Sequence, residues 1–248
     1  ERSRGLGDVY KRQILRSIVS MLLQYLSDFQ QDPLTTLLLV LIIIVAIITA
    51  VTVHEFSHAV VADRLGDHTA RRLGRLTINP SSHLDPMGSI IFLVAGFGWG
   101  KPVPVIQNNI KKINPQTGLA LISLVGPASN FALALILALL IRIQLIPNSV
   151  LQLDFVASFI YILINVNILL GVFNLLPIPP LDGFKVVVGF LPTRLAHPVS
   201  RFERYGAIPL FGILILDMAF EQINIFHTLI GKPVGFTLEL ILNITGRV

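Results

Sequence analysis

Between Leu34 and Val53 the chain runs for twenty residues without a single charge, "LTTLLLVLIIIVAIITAVTV", and then places His54, Glu55 and His58 in the turn that follows. A run of about 20 apolar residues is what a helix needs to cross the hydrocarbon core of a bilayer. Taken on to Ala62, the periodic stretch would make a helix about 43 Å long, against a core of about 30 Å, so it must tilt or protrude. His54 and His58 fall in its last third, inside one membrane boundary. Hydrophobic residues make up 53% of the 248 residues and charged ones only 13%, too little charge to coat a soluble domain of this length. The expectation is an all-α polytopic membrane protein.

Two more long apolar runs follow, Gly118 to Ile141 and Phe155 to about Leu176. They complete an expected three-helix catalytic transmembrane core. "YGAIPLFGILILDMAF" and "VGFTLELILNI" read as about two additional, weaker C-terminal spans. "MGSIIFLVAGF" is too short to cross as a helix and reads as a re-entrant or interfacial element. In "GWGKPVPV" prolines alternate with Val103 and Val105, a pattern suited to an edge strand. Residues 1–13 are basic and read as a non-native or disordered leader. Residues 14–33 have helically spaced apolar residues and read as an interfacial segment or a degraded span. Residues 34–248 form one integral-membrane domain. With no Cys, disulfides and thiolate metal sites are excluded. The net charge of +5 points to basic loops on one membrane face, and no nucleic-acid partner is expected.

Residues four apart share a helix face, so two imidazoles at His54 and His58 can bind one metal, with Glu55 beside them as general base. Burying such groups in an apolar helix end is costly and implies a task. Zinc accepts nitrogen and oxygen ligands, and a hydrolytic site keeps one position open. It lowers the pKa of its water towards neutrality.

A third ligand is needed, and the acidic residues beside apolar segments are Asp182, Asp217 and Glu239. Loops carrying Arg64, Arg71, Arg72, Arg75, Lys101, Lys111 and Lys112 lie on the side where the first span ends. The third span returns to that side with Lys185, Arg194, Arg201 and Arg204, which makes it cytoplasmic by the positive-inside rule. Asp182 then shares a depth with the histidines, and Asp217 lies towards the far face. Asp182 is the expected third ligand. The prolines of "FNLLPIPPLDG" break the helix there and free backbone groups. Asn174 is open between binding an oxyanion or substrate and simple helix packing, as is Asn130 in "GPASN", whose neighbour Gly126 lets another helix approach closely. His83 is read as a loop or capping residue, and His83 and Asp85 as possible supports to a ligand histidine.

Five motifs in this order, "HEFSHAVVADRLGD", "RRLGRLTINPSSHLDPMGS", "GWGKPVPV", "GPASNFALA" and "NLLPIPPLDG", resemble the site-2 protease family of intramembrane zinc metalloproteases. The similarity covers roughly residues 34–190 and is nearest to the compact prokaryotic branch, without a PDZ or cystathionine-synthase-like domain. It implies one zinc held by His54, His58 and Asp182, with Glu55 as general base. It also implies an endopeptidase that cleaves transmembrane segments of single-span membrane proteins by attack of metal-activated water. Its setting would be a prokaryotic cell membrane, with the active site towards the cytoplasmic side. Val103 and Val105 would offer an edge to which unwound substrate adds. The alternative from another class is a membrane metal transporter or channel, which would show repeated ligands or internal two-fold repeats and has no need of Glu55.

Overall fold

A computed structural model describes residues 32–85, 87–88, 100–146, 154–219 and 224–245. The expected leader, nearly all of the interfacial segment, and the re-entrant piece beyond Met87 and Gly88 lie outside the described residues.

Three long helices form the frame: α1 (Pro33–Arg64), α2 (Pro115–Arg142) and α3 (Asp154–Asn174). α1 and α2 begin by the same local device. Asp32 caps α1 by accepting the Thr35 N–H at 3.1 Å, and Asn114 caps α2 by accepting the Gln116 N–H at 2.9 Å. Each cap is followed by proline, whose missing N–H costs nothing at the first helical position. α1 ends where Gly66 adopts φ +108°, a left-handed conformation that turns the chain sharply. α3 stops at Asn174, two residues earlier than the apolar pattern suggested, because Pro177 cannot continue the helix.

α2 lies centrally, packed against both α1 and α3, and against α4 (Asp182–Phe190). Ala134, Ala138, Ile164 and Ile168 fill the contact between α2 and α3. The Gln116 side chain donates to the Val188 and Leu191 carbonyls at 3.0 and 2.8 Å, tying the start of α2 to the end of α4. Outward faces remain apolar, with Leu37, Leu41, Ile136, Tyr161 and Leu169 exposed, as lipid-facing helices require.

Beyond α4 come α5 (Thr193–Ser200), α6 (Ile208–Ala219) and α7 (Lys232–Thr245). Where the two weaker spans are expected, the described residues are helical over Ile208–Ala219 and over residues 227–245, where a π-helical stretch (His227–Gly231) runs straight into α7. Among the described residues, only α1, α2 and α3 are long and apolar enough to span a membrane.

The Lys101–Ile106 segment is not part of a strand. Among the described residues, pairing nearby is limited to a lone antiparallel bridge between Leu84 and Gly100. Pro102 and Pro104 cannot donate to a ladder. The N–H groups of Val103 and Ile106 instead reach the carboxylates of Glu55 and Asp67 at 3.0 and 2.6 Å. With the Lys101 N–H donating to the His83 carbonyl at 2.7 Å, the anchored N–H groups fall at 101, 103 and 106 and follow no single repeat.

Candidate metal centre

His54 and His58 lie on one face of α1, and Asp182 opens α4 just past the broken end of α3. The three-helix frame brings them to one point. Both Nε2 atoms approach the same Asp182 Oδ2, at 3.0 Å from His54 and 3.1 Å from His58. The candidate ligand atoms all lie within 4.8 Å of one another. The histidines are buried and the carboxylate nearly so.

The far side of each ring sets its chemistry. The His54 Nδ1 is 2.7 Å from the Asn130 Oδ1, and the His58 Nδ1 is 2.6 Å from the Ile122 carbonyl. Oxygen acceptors at Nδ1 require a proton there, which leaves each Nε2 with a bare lone pair. Two bare nitrogens and a carboxylate oxygen then converge without a donor among them. A shared cation resolves this, as does a second proton on each ring, but the rings are only 4.6 Å apart between centroids and buried. Two imidazolium charges at that separation repel strongly away from water, so the donor set fits a divalent metal. Asp182 supplies the negative charge.

Glycine and proline in α2 make the approach possible. A Cβ on Gly126 would overlap the His58 ring and crowd His54. Pro127, one residue on, lacks the N–H that would complete the helical ladder and loosens it beside the Ile122 carbonyl. Gly183 packs its Cα against the Leu175 carbonyl, which lets α4 fold back tightly on the end of α3.

Asn130 is fully buried with its amide entirely engaged inside the protein. Besides meeting His54, its Nδ2 donates to the Ala50 carbonyl at 3.1 Å and to the Asn167 Oδ1 at 2.8 Å. Asn167 escaped the sequence reading, although an asparagine within an otherwise apolar helix is itself a signal. Asn174 is half-buried and donates to the Leu170 carbonyl at 3.0 Å within its own helix. His83 is a buried loop residue whose Nε2 lies 2.7 Å from the Thr77 carbonyl, while its own carbonyl accepts the Lys101 N–H at 2.7 Å. The Asp85 side chain accepts the Gly88 N–H. Asp217 accepts the Phe226 N–H, and neither Asp217 nor Glu239 belongs to the metal cluster.

Asp67, also unremarked in the sequence, is fully buried at the end of α1. Its Oδ1 accepts from the Thr69 hydroxyl at 2.5 Å and from the Asn109 amide at 3.1 Å, besides the Ile106 contact through Oδ2. Burial works to raise its pKa, but these donors outweigh it and hold the carboxyl below its ordinary value.

Comparison with known proteins bears on the chemistry. The family model described as "Peptidase family M50" matches residues 141–216, which include Asn167 and Asp182. A Bacillus subtilis (strain 168) protein named "Putative zinc metalloprotease YwhC" is 40% identical over 178 residues, covering 69% of this chain and 79% of that one. The chain belongs to peptidase family M50. It is a zinc metalloprotease, and His54, His58 and Asp182 are where an M50 peptidase can hold its ion. Mycobacterial proteins named "Putative zinc metalloprotease Rip2" are also similar. The Mycobacterium tuberculosis (strain ATCC 35801 / TMC 107 / Erdman) protein is 31% identical over 171 residues, 66% of this chain and 64% of its own. The Mycolicibacterium smegmatis one is 28% identical over 173 residues, 68% of this chain and 64% of its own. No solved structure matches the chain significantly.

Proposed function

We propose that this M50 peptidase is an intramembrane endopeptidase that cuts single-span membrane proteins within or near their transmembrane segment. We place residues 34–248 in one integral-membrane domain of a prokaryotic cell membrane, with the active site towards the cytoplasmic side. The reading is supported chiefly by the convergence of His54, His58 and Asp182 at the end of an uncharged helix, their ligand atoms within 4.8 Å of each other.

Zinc at these residues supplies a Lewis acid that acidifies water and polarises a peptide carbonyl. Glu55, next to His54 and half-buried, is the general base. Its Oε2 is held by the Val103 N–H at 3.0 Å, which leaves Oε1 to take a proton from water and return it to the leaving amine. Asn130 keeps His54 in the tautomer that offers Nε2. Asn174, one turn before Pro177, has a side-chain oxygen and a second amide hydrogen for the substrate backbone or its oxyanion. A transmembrane helix hides its carbonyls in its own hydrogen bonds, so the substrate must unwind before it can be cut. The unwound peptide lies along the Lys101–Ile106 strap beside Val103 and Val105. Since Glu55 uses the Val103 N–H, pairing falls to the Val105 N–H and the strap carbonyls.

The test is reconstitution of purified protein in liposomes with single-span model substrates. Cleavage is expected to stop with a zinc chelator and to return with zinc. Chelator-resistant cleavage, or none by a zinc-loaded protein across a substrate panel, would overturn the reading.

A further inference from the structure

We infer that Asn167 is a positioning residue for the metal centre: it fixes which end of the Asn130 amide faces His54. The inference rests on the metal-centre reading above and concerns a residue outside the ligand set.

The oxygen and nitrogen ends of an asparagine amide have nearly the same shape, so hydrogen-bond partners alone decide which way it points. In α3 that decision starts from the backbone. The Leu163 carbonyl can only accept, so the Asn167 end 2.8 Å from it must be the Nδ2 donor. The Asn167 Oδ1 is thereby turned towards α2, where it accepts from the Asn130 Nδ2 at 2.8 Å. The second Asn130 hydrogen goes to the Ala50 carbonyl of α1 at 3.1 Å, another group that can only accept. With both hydrogens committed, the Asn130 Oδ1 must face His54, at 2.7 Å from Nδ1. That ring nitrogen then carries the proton, and Nε2 keeps its lone pair for the cation.

Donation runs one way through three helices, from the His54 ring in α1 through Asn130 in α2 and Asn167 to the Leu163 carbonyl in α3. Asn130 and Asn167 are both fully buried, so no water competes for these atoms. Without Asn167, Asn130 keeps only the Ala50 contact, and a flipped amide would offer hydrogens to His54 and favour the wrong tautomer. Outer partners of this kind typically carry about 10- to 100-fold in metal affinity.

Three variants of the full-length purified protein test this by zinc competition with a chromophoric chelator, alongside thermal unfolding of the zinc-free protein. Asn167→Leu removes both hydrogen bonds and is expected to weaken zinc by about 10- to 100-fold. Asn167→Thr keeps a hydroxyl that can bond back to the Leu163 carbonyl but is too short to reach Asn130, so it is expected to weaken zinc about 10-fold. Asn167→Asp, neutral at this buried site, presents an O–H donor and a carbonyl acceptor in the same order and is expected to stay within a few-fold of wild type. The inference is overturned if Asn167→Thr binds zinc as wild type does, or if Asn167→Asp loses as much affinity as Asn167→Thr. It is also overturned if the variants lower only the unfolding temperature. Should Asn167→Leu not fold, the Thr and Asp pair decides alone. A wild-type protein that binds no zinc would instead sink the metal-centre reading itself.

Discussion

The ligand cluster and the Lys101–Ile106 strap both border Glu55, yet they are held by different means. Behind the ligand atoms, at Nδ1 of His54 and His58, the partners are a neutral amide and a carbonyl on α2, buried away from solvent. Among the described residues the strap has no strand partner, and its anchors there are two backbone N–H groups bonded to carboxylates on or just after α1, plus one to the His83 carbonyl. Neutral partners fix a tautomer and a ring orientation without adding charge to a low-dielectric site. Carboxylate partners make stronger single bonds, but bonds that respond to protonation. The first arrangement suits a permanent ion site. The second suits a surface that has to admit a peptide.

Four experiments press on this contrast. Glu55→Gln should lower proteolysis by about 10²- to 10⁴-fold while zinc stays bound, since the base lies outside the ligand set; zinc content and turnover on one preparation check it. Gly126→Val should fail in the opposite way. Its side chain would occupy the space of the His58 ring, so zinc content itself should fall by at least about 10-fold, read by metal analysis. If Gly126→Val kept its zinc, the tight packing ascribed to the cluster would be wrong.

Val103→Pro and Val105→Pro separate two roles along the strap. The first deletes the N–H that holds Glu55 and should lower kcat by about 10-fold; the second should chiefly raise KM, if substrate pairs at Val105. Equal effects from both would merge these roles into one structural requirement. The smallest effect concerns pH. Asp67 has a folded pKa below its unfolded value, so its contribution is fully present above about pH 4 and is lost as pH falls through the folded pKa. Amide exchange at Ile106 should lose protection in that window, and Asp67→Asn should remove the dependence at a cost of about 1–3 kcal/mol. The metal cluster's Asn130–Asn167 bonds should show no such acid-linked loosening of their own.

Much of the cluster was legible because its signals are local. The i, i+4 spacing put His54 and His58 on one face, whereas the Asn114 cap and Pro115 lay ahead of the apolar run read from Gly118. Charge bias favoured Asp182 as the neighbour of the histidines, and its Oδ2 lies 3.0 Å from the His54 Nε2. The partner of a buried asparagine is a different matter. Asn130 within an apolar run announces that it needs partners, but the fold alone decides that they are Ala50, His54 and Asn167. The strap was read as an edge strand from its alternating prolines, yet its N–H groups at 101, 103 and 106 are bonded to the His83 carbonyl, Glu55 and Asp67. Those partners are set by where Glu55, Asp67 and His83 lie in the fold, beyond the strap's own residues.

Because the partner of Glu55 at position 103 is main chain, nineteen of the twenty amino acids deliver it equally well. A conventional alanine scan across Lys101–Ile106 would therefore pass over the contact in silence, and a variant library would record tolerance there. The dependence becomes visible only when the peptide link itself is altered, by proline or by an ester in place of the amide at Val103.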